Sequence, residues 1–354
     1  LGANTTAANN TALGYYALIA NIDGTQNTAV GAVSLDANTT GDYNTSVGYA
    51  SLGANISGNS NSAFGRNALL VNTASNNTAM GYGSLAANTT GTQNVSLGAN
   101  SLDANTTASY NTGLGYNTLT TNITGEKNVA AGTYSLNSNT TGDDNTALGY
   151  ASLYSNTTAS DNTAVGHSAL TGNTTGANNT AVGKTALATN TTASYNTAVG
   201  YQALNLNTTG ANNVAIGKDA LKANTTADDN TAVGKSALTA NTTGDQNVAV
   251  GAGASEANTT GRNNTAVGFE AFHVNTAGED NTAMGTGALS LLTDGDDNTA
   301  VGSGALARAT TSSNNTAVGY LAMLANTTGD RNVAIGALAL DANTTADANT
   351  AVGY

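Results

Sequence analysis

Apolar and polar positions along this chain recur with a single period, far longer than that of a helix or a lone strand. The anchor is Asn-x-x-x-Gly. It starts at Asn10, Asn27, Asn44, Asn61 and Asn77, then every 17 residues to Asn349, giving 21 copies. Nineteen of the twenty intervals are 17 residues, and Asn61 to Asn77 is 16, so every copy must hold an equivalent place in a stack. Numbered from the anchor, the consensus reads N-T-A-V-G-x-x-A-L-x-x-N-T-T-G-x-x. Such a unit is too short for a helix pair or a four-stranded blade. It suits one turn of a β-solenoid, with two or three short strands joined by tight corners. The expected fold is all-β, a parallel β-solenoid (β-roll) of about 21 coils, running over residues 1–354 as one continuous repeat array. Coils stacked about 4.8 Å apart would make a rod on the order of 100 Å long.

Each column of the repeat has a physical reading. Position 2 is Thr or Val, with one Ser, and position 4 is mostly Val, Leu, Ile or Met, with Phe64 and Ala131 as exceptions. Side chains alternate along a strand, so these two columns share a face, as at Val214 and Ile216 around Ala215. That face, with the Leu column at position 9, is predicted to point inward. The small columns, position 3 and position 8, would then form a second face that lets another chain approach closely, most naturally in a threefold bundle. Position 5 is Gly in all 21 copies, which implies positive φ or crowding that excludes a Cβ. Position 13, Thr or Ile, reads as a second strand. Position 15, mostly Gly or Ala, reads as a softer corner. Two large apolar residues per coil are too few to offset the cost of ordering 17 backbones, so a coil must rely on its neighbours.

Composition narrows the class. The chain has 42 Gly and no Pro, Cys or Trp, and only 9% of its residues are charged. Regularly placed β-branched residues argue against disorder. The net charge of −13 disfavours nucleic acid and anionic membrane as partners. No apolar run approaches the ~20 residues needed to span a bilayer, so membrane insertion is not expected. Without cysteine there is neither a disulfide scaffold nor thiol chemistry. The chain opens and closes in mid-repeat, as expected of a processed product or a piece of something longer.

The segments Asn213-Val-Ala-Ile-Gly217 and Asn332-Val-Ala-Ile-Gly336, each followed by x-x-Ala-Leu, resemble the head repeats of trimeric autotransporter adhesins of the YadA type. The Asn-Thr-Ala-Val-Gly…Asn-Thr-Thr-Gly form is also similar to repeats in bacterial and phage tail-fibre-like proteins. The resemblance covers essentially the whole chain. It implies a left-handed parallel β-roll, trimeric and extracellular, used for attachment. The adhesin repeat is a few residues shorter, and the Asn-Thr-Thr-Gly arm has no counterpart in its core motif.

Two asparagine columns stand out. Position 1 is Asn in every coil and reads as a ladder of stacked amides. Position 12 is Asn in 19 of 21 coils, failing only at Leu292 and Ala309. Sixteen of those lie in Asn-x-Ser/Thr sequons and are candidates for N-glycosylation: Asn4, Asn38, Asn55, Asn88, Asn105, Asn122, Asn139, Asn156, Asn173, Asn190, Asn207, Asn224, Asn241, Asn258, Asn326 and Asn343. Fourteen of the 22 acidic residues sit at positions 16 and 17, among them Asp143, Asp144, Asp228, Asp229, Glu279, Asp280, Asp296 and Asp297. They read as a solvated turn that keeps the array soluble, since a calcium site needs six to eight oxygens. Tyrosine recurs at position 6, at Tyr15, Tyr49, Tyr82, Tyr116, Tyr150, Tyr201 and Tyr320, with Tyr354 in the same column. It reads as corner packing or as a stripe for stacking on sugars or on another chain.

No catalytic, cofactor or metal site is expected. His167 and His273 occupy different columns of distant coils, and no triad or paired carboxylate stands apart from the repeat. The sequence therefore points to a structural subunit of an extracellular or virion-surface fibre, self-associating as a homotrimer or end to end, with glycans along one edge. The alternative is an adhesin or tail-fibre shaft that binds host glycans. Ice binding is disfavoured because adjacent Thr residues at positions 13 and 14 point to opposite faces.

Overall fold

The computed structural model describes residues 1–354, which form two compact units, Leu1–Ala177 and Asn178–Tyr354. Each unit is a parallel β-solenoid with one strand per 17-residue coil. The first unit holds ten strands, from β1 (Thr11–Leu13) to β10 (Thr163–Val165). The second holds eleven, from β11 (Thr180–Val182) to β21 (Thr350–Val352). There is no helix.

Within each unit successive strands pair in parallel and in register, so that like columns superpose. Thr11 faces Thr28, and Ala215 faces Ala232 with Ile216 opposite Val233. The 16-residue coil keeps this register, with Phe64 opposite Met80. Its missing residue lies in the Asn-Thr-Thr-Gly arm, which reads Asn72-Thr-Ala74.

Every strand is three residues long, and the second strand expected at position 13 does not form. The reason lies in the backbone. Columns 7, 9 and 17 adopt left-handed conformations in coil after coil, as at Val33 (φ 48°), Leu35 (φ 52°) and Gln26 (φ 57°). Left-handed residues turn the chain and leave no extended run. For an L residue that conformation costs about 1–2 kcal/mol. The stack holds it in place through bonds between coils, such as Leu35 N–H to the Ser51 carbonyl at 3.0 Å. Column 13 still bonds coil to coil, with Thr39 N–H donating to the Ile56 carbonyl at 2.9 Å.

The two glycine corners differ in kind. At column 5 φ runs near +135°, and a Cβ on Gly200 would lie 2.5 Å from the Gly217 carbonyl oxygen. Both conformation and space exclude a side chain there, so glycine is strict. Column 15 has no positive φ, and Ala108 and Ser312 are accepted in it.

The Leu column at position 9 is buried as expected, but the strand contributes the opposite side to the core. Column 3 is the inward column, with Ala29 and Ala215 fully buried, whereas column 4 faces solvent, with Leu13 68% and Ile216 40% exposed. Columns 8 and 9 are buried too, as in Ala237 and Leu238, together with both asparagine columns. The alternation along the strand was read correctly and its side was not. The interior is narrow. A Cβ added at Gly113 in column 3 would already lie 2.4 Å from Ser101 Oγ and 3.4 Å from Leu102 Cδ1. Only a small residue fits opposite the Leu column. Where that column changes, neighbours compensate: the small Ser255 is followed one coil on by Phe272, and both are buried.

Candidate functional site

The two asparagine columns meet on one carbonyl per coil. In column 12, Asn38 Nδ2 donates to Asn21 Oδ1 of the preceding coil at 2.8 Å and to its own Gly41 carbonyl at 3.0 Å. In column 1, Asn27 Nδ2 donates to the same Gly41 carbonyl at 2.8 Å, while Asn27 Oδ1 accepts the Asn44 backbone N–H at 2.9 Å. These amides are buried and hydrogen-bonded, as buried polar groups must be.

This geometry corrects the glycosylation expectation. Fourteen of the sixteen candidates, Asn38, Asn55, Asn88, Asn105, Asn122, Asn139, Asn156, Asn173, Asn190, Asn207, Asn224, Asn241, Asn258 and Asn326, are buried. Along the ladder Nδ2 commits both protons, as in Asn224 to Asn207 Oδ1 at 2.8 Å and to the Ala227 carbonyl at 3.0 Å. A glycan replaces one of those protons and has no room. Only Asn4 and Asn343, in the end coils, are partly open. Sequons also occur outside column 12. Asn9, Asn76, Asn178, Asn263 and Asn314 in column 17 each begin Asn-Asn-Thr, and all five are exposed.

The column-12 ladder has two irregularities. Opposite the short coil, Asn55 Oδ1 is buried without a partner: Asn72 keeps the donation to its column-15 carbonyl, Ala74 at 2.8 Å, but makes none to Asn55. At Leu292 and Ala309 an apolar pair replaces the amides, and both side chains are buried. Asn275 adjusts by accepting its own Gly278 N–H at 3.0 Å.

The acidic turn is more than a solvated face. Column 16 supplies short acceptors that cap the backbone N–H of column 16 one coil earlier. Asp42 Oδ1 takes Thr25 N–H at 2.7 Å, and Asp245 Oδ1 takes Asp228 N–H at 2.9 Å. Ser109 Oγ does the same for Thr92 at 3.0 Å, so a neutral short acceptor serves in this cap as well as a carboxylate. No group of three or more His, Cys, Asp or Glu comes together.

Two surfaces remain for recognition. One is the outer sheet face of columns 2 and 4. It carries Thr, Val, Leu, Ile and Met with no charged residue, and Val95, Leu97, Val248 and Val250 are each more than a third exposed. The other is the turn side of columns 6, 7, 10 and 11, where residue type varies widely from coil to coil. Stretches of it differ in chemistry. An apolar groove around Leu70 and Val71 is bounded by Asp36 and Asp103, both carboxyls being raised above the usual range by burial. In the second unit, Lys218 and Lys222 flank Asp219 at 3.7 and 3.5 Å.

All eight column-6 tyrosines are exposed, so corner packing does not account for them. Arg66 lies 5.7 Å from the Tyr49 ring and 6.0 Å from Tyr82, within cation–π range. Four rings and a histidine gather at Tyr116, Tyr134, Tyr150, Tyr154 and His167, drawn from columns 6, 7 and 10 of four successive coils. Compared with known proteins, the chain matches no family model and no curated protein.

Proposed function

We propose that the chain is a structural subunit of an extracellular surface fibre, in which three copies associate laterally through the sheet face of columns 2 and 4. The observation that carries this reading is a charge-free face of Thr and apolar residues, partly open to solvent and repeated coil after coil. Contiguous exposed apolar residues such as those around Val95, Leu97, Val248 and Val250 mark interaction surfaces. The small columns first expected to meet a second chain are buried in the core and leave this face as the candidate. The threefold form and the extracellular setting follow from the resemblance to adhesin and tail-fibre repeats. The role is mechanical rather than catalytic, since the repeat commits its chemistry to ladders and corners.

Light scattering and sedimentation test it. The expected mass is three times the 34.7 kDa of the chain. A double substitution, Val250→Asp with Val267→Asp, places two like charges on the face and should release monomers with an unchanged circular dichroism spectrum. A wild-type chain that stays at 34.7 kDa at high concentration refutes self-association. The second reading, an adhesin shaft, draws on the aromatic cluster of the turn side.

A further inference from the structure

We infer that the cluster of Tyr116, Tyr134, Tyr150, Tyr154 and His167 is a binding site for a neutral saccharide, a chain of pyranose rings. The inference rests on the adhesin reading, and its failure is separable from that of self-association because the two concern different faces and different assays.

The geometry is local and specific. Tyr134 lies at the centre, with ring centroids 5.7 Å from Tyr116, 6.1 Å from Tyr150 and 6.3 Å from Tyr154. Its plane stands at 75°, 84° and 79° to theirs, so edge-to-face contacts fix the set. Tyr150 also stacks on His167 at 5.1 Å and 25°. A cleft of about 280 Å³ opens among Tyr134, Tyr150, Ala151, Tyr154 and Thr171. That is just below the range of about 300–1,000 Å³ usual for small-ligand sites.

The repeat does not require this arrangement. Tyrosine is frequent in column 6, but Tyr154 is the only tyrosine in column 10, and Tyr134 is one of two in column 7. Three columns have to change together across neighbouring coils to bring these rings into one place. Tyr116, Tyr150 and Tyr154 stay substantially exposed, at 46%, 49% and 39%, around a half-buried Tyr134, so the outer rings do not serve the core.

The rim selects the ligand. Across the four coils from Asn111 to Asn162, columns 6, 7, 10 and 11 contain no Asp, Glu, Lys or Arg. They offer hydroxyls and amides instead: Thr120, Thr133, Asn137, Ser168, Thr171 and the phenols themselves. Asn137 is held in place, donating to the Asn117 carbonyl at 3.0 Å and to Thr120 Oγ1 at 3.1 Å. Electron-rich ring faces bordered by neutral hydrogen-bonding groups suit the C–H face and the hydroxyl edge of a pyranose. No lysine or arginine stands in these columns to pair with an anionic ligand.

The test is titration of the full chain with soluble oligomers of glucose (β-1,4 and β-1,3), N-acetylglucosamine, mannose, galactose and xylose. It is read by tyrosine fluorescence and by calorimetry. At least one series should bind saturably. Tyr134→Ala should weaken it about tenfold or more, Tyr134→Phe should retain most of it, and Tyr201→Ala, a column-6 tyrosine of the second unit, should change nothing. Far-UV circular dichroism checks that each variant folds. The absence of saturable binding up to millimolar oligosaccharide overturns the inference. So does binding that survives Tyr134→Ala combined with Tyr154→Ala.

Discussion

Replacing Asn224 by Ala removes one rung of the column-12 ladder, and the structure fixes what is lost. Asn224 Nδ2 donates to Asn207 Oδ1 at 2.8 Å and to the Ala227 carbonyl at 3.0 Å, while its Oδ1 accepts from Asn241 Nδ2 at 3.1 Å. The Ala227 carbonyl keeps a second donor, Asn213 Nδ2 at 2.8 Å. Two buried groups therefore lose a partner: the acceptor of Asn207 and one N–H of Asn241. At about 1–3 kcal/mol for each, the expected loss is about 2–6 kcal/mol. The native break near Leu292 indicates how far relaxation can reduce it. There Asn275 turns its Oδ1 to its own Gly278 N–H, and by the same move Asn207 could take Gly210 N–H, leaving one orphan and about 1–3 kcal/mol. Native-state hydrogen exchange is the assay, because in a repeat array the loss is carried first by neighbouring coils. Amides of the coils around Asn207 and Asn241 should lose protection while distant coils do not. A loss below about 1 kcal/mol at those amides would refute the view that the amides are a structural ladder.

Four further outcomes are expected. Gly200→Ala should prevent folding or cost about 4 kcal/mol or more, because its Cβ meets the Gly217 carbonyl. Gly287→Ala, in column 7 and left-handed at φ +63° with nothing within 4 Å, should cost only about 1–2 kcal/mol; thermal melts compare the two variants directly. Burial makes the Asp103 carboxyl hold its proton more tightly in the folded state than in the unfolded one, so stability falls as pH rises from the ordinary carboxylate range through the raised value. Asp103→Asn should accordingly be more stable than the parent at neutral pH, the gain vanishing in acid; equal urea midpoints at pH 7 would contradict this. Produced in a host that glycosylates sequons, the chain should carry sugar only at open sites such as Asn9, Asn76, Asn178, Asn263 and Asn314. Glycopeptide mapping that found occupied Asn224 or Asn241 in folded protein would overturn the burial argument.

Much of the fold was legible in the residues because a solenoid writes its contacts as columns. The period, the strict Gly corner of column 5 and the amide ladder of column 1 all follow from requirements that repeat unchanged. The inward side of the strand was misread because large apolar residues were assumed to be buried ones. A signal for the right answer was present. Column 3 holds only Ala, Ser46, Ser96 and Gly113, whereas column 4 runs from Ala131 to Phe64. A column that tolerates such a range of volume faces open space, and one confined to the smallest residues faces a wall. The sequons misled in a related way: the Asn-Thr-Thr pattern arises from the ladder and its turn, and the three-residue rule does not register burial. The aromatic cluster could not be seen from any single column. It arises where three columns, each unremarkable alone, come together across adjacent coils.

The short coil carries a consequence for how such a chain can change in length. Within each unit a strand pairs only with the strands before and after it. Gain or loss of a whole repeat would therefore re-form every bond with an equivalent partner. A fractional change would not, and the single residue missing after Asn72 already leaves Asn55 Oδ1 unsatisfied. Duplication and excision in multiples of 17 are thus close to energetically silent, and this chain records the toll of the one exception.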